Sequence, residues 1–222
     1  MSNRFFRQLT VLMTFAIATA VQAQAPVPAP SPAAPAAPAL HVITGFRSAH
    51  FGMTEAEVRQ AVQHDFPADA AGLRAFDNPT ERTRVLAVGL LKLEPGPASA
   101  AVSYIFGATS HQLIQVNVVW TTGEQPSEQE RAQIAAAGFQ LTSYFRELTW
   151  EPGHTGSGAS RAPGVLTLFT GVDSKNAVVE VRLSGVAVGK AAQPAGPTQL
   201  RLAYAAKAGQ PDVAPAPKPG SF

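Results

Sequence analysis

Apolar and polar positions along the chain follow two periods, and the switches between them lay out the fold. From Ala101 to Phe106, Val102, Tyr104 and Phe106 alternate with Ala101, Ser103 and Ile105. From Gln112 to Thr121, Ile114, Val116, Val118 and Trp120 alternate with Gln115, Asn117 and Val119. A period of two with one apolar side predicts antiparallel strands packed on one face, and Gly107–His111 supplies the hairpin turn. Further on, Ala177–Val186 sets Val179, Val181 and Leu183 against Glu180, Arg182 and Ser184. Gln199–Ala205 sets Leu200, Leu202 and Tyr204 against Arg201 and Ala203. Arg84–Leu93 and Val165–Gly171 are strongly apolar and read as strands, with Leu40–Ile43 as a short opening strand.

Two segments change to helical spacing, and each is introduced by a capping box. In the first, Thr54 and Glu57 satisfy each other's end of the box, Met53 and Val58 flank it as a hydrophobic staple, and Val58, Ala61 and Val62 continue the stripe. Pro67 disfavours helix at Phe66 and ends it, which predicts a helix over Glu55 to about Asp65. In the second, Ser127 and Glu130 open a helix running to about Leu148, with an inner stripe of Ile134, Ala137, Leu141, Phe145 and Leu148. Gly138 inside that helix costs about 1 kcal/mol relative to alanine, which points to close packing there. Residues 67–82 and 151–164 read as loops.

The order helix, three strands, helix, three strands predicts an α+β fold: two α-β-β-β units forming a largely antiparallel sheet with both helices on one face. The predicted domain covers 40–207, with halves at 40–122 and 126–207. Before it, residues 24–39 alternate Pro and Ala and read as a disordered, extended linker. After it, residues 208–222 repeat that composition and are expected to be disordered.

Composition adds a cellular address. Arg4 and Arg7 precede an apolar run from Leu9 to Ala20, and Val21-Gln22-Ala23 resembles a processing site. Residues 1–23 are therefore expected to be a signal peptide, cleaved near Ala23 and directing the chain to a periplasm. Removing Arg4 and Arg7 from the 17 basic residues leaves 15, equal to the 15 acidic ones. A neutral chain has little to offer phosphate backbones, so nucleic acid is set aside as a partner. No stretch after the signal is long and apolar enough to predict an integral membrane segment. The chain has no cysteine, so its core must hold without disulfides.

Phe51-Gly52-Met53-Thr54-Glu55-Ala56-Glu57-Val58, followed by the hairpin Val102–Phe106 and Leu113–Val118, resembles the unit of two exported families. One is the small outer-membrane-assembly lipoproteins of the SmpA/OmlA (BamE-like) type. The other is the beta-lactamase inhibitory proteins, built from tandem helix-plus-antiparallel-sheet units. The resemblance covers roughly residues 46–121 and implies a periplasmic or secreted module acting by protein contact. The chain departs from both families: it lacks the lipidated cysteine of the first and the disulfides of the second, and its second half has no Gly-Met-Thr start.

Chemical candidates are sparse. His41, His50, His64, His111 and His154 show no zinc-ligand spacing, and no cofactor motif is present. His64-Asp65 suits a helix C-terminus. Ser110-His111 shares a tight turn, and Ser157 lies in a Gly-rich connector without the strand-to-helix elbow of a hydrolase. Gly153–Gly158 lacks the Lys-Ser/Thr of a phosphate loop. Glu55 with Glu57, and Glu128 with Glu130, are explained by helix capping and dipole.

What remains is the polar side of the sheet: Ser103, Gln115, Asn117, Thr121, Glu180, Arg182 and Arg201. The expectation is a non-catalytic, exported protein that binds another envelope protein through this face or through the loops 67–82 and 151–164. Two alternatives stay open. One is a small-ligand carrier with a helix–sheet pocket lined by Phe139, Tyr144, Phe169 or Tyr204. The other is a cryptic hydrolase whose Ser, His and acid converge in a cleft.

Overall fold

The computed structural model describes residues 39–97, 99–160, 162–186 and 196–215. The expected signal peptide, linker residues 24–38 and tail residues 216–222 lie outside the described residues. The described chain is α+β. It contains β1 (Gly45–Phe46), β2 (Ala49–His50), α1 (Glu55–Asp65), a 3₁₀ turn (Ala70–Gly72), β3 (Arg74–Asn78), β4 (Thr83–Leu90), β5 (Ala100–Phe106) and β6 (Leu113–Thr121). There follow α2 (Glu128–Glu147), β7 (Thr155–Ala159), β8 (Val165–Val172), β9 (Val178–Ser184) and β10 (Gln199–Ala205).

Eight strands form one antiparallel sheet in the order β3-β4-β5-β6-β10-β9-β8-β7, and β1 and β2 make a separate hairpin. The order is a palindrome of two meanders that meet at the central pair β6–β10. Each meander follows a helix. The halves therefore carry four strands each, one more than expected. The additional strands are β3 and β7, which lie within the stretches expected to be loops, 67–82 and 151–164. Their sequences, Arg-Ala-Phe-Asp-Asn and Thr-Gly-Ser-Gly-Ala, lack an apolar alternation because they are edge strands with nearly every side chain exposed.

Both capping boxes form. Thr54 N donates to Glu57 Oε2 at 2.8 Å, and Ser127 N donates to Glu130 Oε2 at 2.8 Å. The hydroxyls accept from the Glu57 and Glu130 amides in return. The opening strand expected at Leu40–Ile43 is absent. That segment is instead pinned at two points, His41 N to Thr149 O (2.7 Å) and Ile43 N to Asp173 Oδ2 (2.9 Å). The first pairing occurs later, in β1–β2, around a turn where Arg47 has a positive φ of 53°.

The core lies between the helices and one face of the sheet. Leu86, Val88, Val102, Tyr104, Val116, Val118, Leu200, Leu202, Val181 and Leu183 share that face by register and are all buried. α2 buries Ile134, Ala137, Gly138, Thr142 and Phe145, while the expected stripe members Leu141 and Leu148 are only partly buried. Gly138 is what lets α2 approach: a Cβ there would meet Leu168 at 2.9 Å and Leu183 and Leu200 at 3.3 Å. An additional residue in β8 pairs Thr167 with Arg182 and Phe169 with Val181, leaving Leu168 unpaired. This bulge turns the consecutive Leu168 and Phe169 both into the core.

The tryptophans close the two halves in parallel fashion. Trp120 Nε1 donates to Leu93 O at 2.7 Å and its ring lies against Gly96. Trp150 Nε1 donates to Phe145 O at 2.7 Å and its ring lies against Gly171. Both are packing residues with their one polar group satisfied.

The tail expected to be disordered from 208 is ordered through 215. Ala206 N extends the sheet to Ile114 O, and Ala108 N donates to Asp212 O at 2.8 Å. The Asp212 carboxylate then accepts from Thr109 N (3.1 Å) and Ser110 N (2.8 Å). One acidic side chain thus ties a Pro-rich segment to the β5–β6 turn, and composition alone gave no sign of it.

Candidate interaction face

The sheet face away from the helices is built by strand register. Ser103 of β5 pairs with Asn117 of β6, Asn117 with Ala203 of β10, and Ala203 with Glu180 of β9. The next row runs from Val119 to Arg201 to Arg182, and the one beyond it from Thr121 to Gln199 to Ser184. On the other side, Gln115 pairs with Ala205. All seven expected residues therefore share one face and form one patch across the central strands.

Side-chain hydrogen bonds link six of the seven in three separate groups. Gln115 Nε2 donates to Asn117 Oδ1 at 3.0 Å, and Arg201 Nη2 donates to the same oxygen at 2.8 Å. Arg182 Nη2 donates to Glu180 Oε2 at 2.6 Å, with both side chains largely shielded. Gln199 Nε2 reaches Thr121 Oγ1 at 3.5 Å. Burial lowers the Arg201 guanidinium below its ordinary range; Glu180 opposes that shift and Arg182 adds to it. Gln199, Ser184, Thr167 and Thr170 lie on the same face. Extending the period of two from Arg201 would have found Gln199, and Ser184 already alternates with Glu180 and Arg182; Thr167 and Thr170 lie on β8, on either side of the bulge, where the parity changes.

Among the described residues, the four side chains expected to line a helix–sheet pocket do not come together. Phe139 and Tyr144 stand on the outer side of α2, 58% and 56% exposed. Phe169 and Tyr204 lie inside against Phe145, whose ring stacks on Phe169 at 5.7 Å and meets Tyr204 edge-on at 6.3 Å. The four do not surround a cavity. A surface groove of about 490 Å³ lies instead where the end of β10 meets the ordered tail, lined by Phe51, Ile114, Lys207 and Pro211 among others. The tail's composition gave no reason to expect it.

A serine, a histidine and an acid do meet at the end of α1. Ser48 Oγ donates to Asp65 Oδ1 at 2.7 Å, and His64 Nδ1 lies 3.0 Å from that oxygen and 3.3 Å from Ser48 Oγ. A nucleophile–base–acid relay needs the serine on one ring nitrogen and the acid on the other. Here both crowd Nδ1, the serine proton goes to the acid, and the imidazole is 79% exposed. Asp65 also accepts from Ser48 N at 3.0 Å, so the cluster fastens the β1–β2 hairpin to the end of α1. Elsewhere, Ser110 Oγ accepts from Gln112 N within its own turn, and His154 rests between Glu151 and Val172 O. His41 packs edge-on to Trp150 at 5.0 Å, and burial lowers its imidazole despite Asp173 nearby. Among the described residues, no three His, Asp or Glu side chains are grouped closely enough to hold a metal ion.

No family model, no curated protein and no solved structure matches the chain.

Proposed function

We propose that this protein is an exported, periplasmic, non-catalytic module that binds another envelope protein through the open face of its sheet. One observation carries the reading. The expected polar residues of four separate strands assemble by register into one patch, joined in part by hydrogen bonds, opposite the face that holds the core and both helices. A sheet face that needed only to be wet would gain nothing from placing two partly buried arginines at its centre, since desolvating a charge is costly unless it is paired. Export rests on the Arg-flanked apolar run ending near Ala23. The Gly-Met-Thr helix start and the following hairpin support a kinship in architecture with the BamE-like and beta-lactamase inhibitory units.

Site-specific photo-cross-linking tests the binding reading. A photoreactive side chain at the exposed Thr121, on the face, should capture one specific protein in periplasmic extract. The same group at Gln140, exposed on α2, should not. Equal capture from both positions, or none from Thr121, overturns it. N-terminal sequencing of the periplasmic protein should begin just after Ala23.

A further inference from the structure

The two arginines at the centre of the patch are under-compensated. Arg201 and Arg182 lie directly opposite each other on β10 and β9, where like charges repel. Of the strand residues directed to this side, Arg74, Arg182 and Arg201 are cationic and Glu180 alone is anionic. Arg74 stands apart at the β3 edge, its guanidinium on the Ala71 and Leu73 carbonyls. Elsewhere Arg59 has Glu55, Arg84 has Asp77 and Glu55, and Lys92 has Glu94, while Arg131 rests on the Gly196 carbonyl. Here Glu180 takes Arg182, while Arg201 has among the described residues only a neutral amide oxygen that Gln115 already shares. A guanidinium carries five N–H donors in a planar fork. The Arg182 Nε donor is buried and has no acceptor among the described residues, an omission that folded proteins rarely tolerate without a reason.

We infer that Arg182 and Arg201 form a clamp for an acidic side chain of the partner protein, one Asp or Glu carboxylate accepting from both guanidiniums. This rests on the reading of the face as a binding surface and adds the partner's chemistry to it. Two opposed forks match the two oxygens of a carboxylate, and the incoming charge would relieve the repulsion that the free protein carries.

The test uses the mature protein and a blocked heptapeptide of alternating Glu and Val, with the Gln-for-Glu peptide as control. A third peptide, Gln-for-Glu with a free C-terminus, reads out a terminal carboxylate instead. The Glu peptide should move the Arg182 and Arg201 side-chain N–H resonances saturably, and the Gln peptide should not. Arg201→Met should weaken that binding about tenfold, as expected for losing a charge-assisted bond, and should melt no lower than wild type, because a like-charge contact is gone. Equal shifts with the Glu and Gln peptides, no shift with any, or shifts only with the free C-terminus overturn the clamp. So does a lower melting temperature, which would make the pair a structural prop. The cross-linking experiment separates the two ideas. If Thr121 still captures its partner in an Arg182→Met/Arg201→Met protein, the face stands and the clamp falls. If wild type captures nothing, the face falls whatever the peptides do.

Discussion

The two halves of the sheet share a plan and fill it differently. In each, a box-capped helix precedes a four-strand meander that ends on the central pair. α1 has 11 residues and buries only Val58, Ala61 and Val62. The strands beneath supply the bulk: Tyr104, Phe106, Leu86, Leu90 and Trp120 are fully buried there, and Phe46 and Phe51 from the hairpin side add to them. α2 has 20 residues, brings Phe145 and sits close through Gly138, and the strands answer with Leu168, Phe169, Val181 and Leu183. Interior volume is filled in both cases, but large groups come from the sheet in one half and are shared with the helix in the other. The outer faces diverge too. Val85, Ala87, Gly89, Ala101 and Ile105 make the first half nearly uncharged, whereas Glu180, Arg182 and Arg201 concentrate charge in the second. A shared frame thus leaves its exposed side free to differ.

The sharpest test of this contrast is to empty each helix–sheet interface. Phe145→Ala should cost about 3–5 kcal/mol, because it removes a buried ring stacked on Phe169. Val62→Ala should cost about 2 kcal/mol. Denaturant titration gives both, and a larger loss at Val62 would reverse the assignment of bulk. Next come the glycines under the tryptophans. Gly96→Ala should cost about 1–3 kcal/mol by overpacking, since the Trp120 ring is buried and cannot yield. Gly171→Ala should cost less, because Trp150 is partly exposed and can shift. Tryptophan fluorescence and thermal melts would show it, and equal losses would refute the difference. Thr54→Ala and Ser127→Ala should each cost about 1 kcal/mol and leave capture from Thr121 unchanged. If capture vanished with the melting temperature intact, the boxes would have a role beyond helix starts.

The smallest effect is local and depends on acid. Bonds from the Ser110 side chain and amide, with help from Thr109, pull the Asp212 carboxyl from its ordinary 3.8 to about 2. A carboxyl whose folded value is depressed contributes stability above the unfolded value and loses it as pH falls through the folded one. Amide exchange at Thr109 and Ser110 should therefore accelerate between pH 3.8 and about 2, ahead of the core strands, and should be fast at all pH values in Asp212→Asn. Simultaneous loss of the core strands would show that the tail clamp is not a separate unit.

Much of this was legible along the chain because it is local. A capping box is complete within four residues, so Thr54–Glu57 and Ser127–Glu130 located both helix starts. Strict alternation fixed which side of β5, β6, β9 and β10 faces inward, and with it the seven residues of the open face. β3 and β7 were not legible, since an edge strand exposed on both sides carries no hydrophobic period. Nor was the bulge at Leu168, where two neighbouring apolar residues break the alternation yet both turn inward.

The sequence by itself determined the α+β class, the helix boundaries and the parity of the central strands, because each depends on interactions between residues close in the chain. Tertiary structure alone decided that the meanders meet at β6–β10 and that the tail docks through Asp212. It also placed Arg201 opposite Arg182, with Glu180 pairing Arg182 alone. These are juxtapositions of residues 19 to 103 positions apart, chosen by register and packing, which no local pattern encodes.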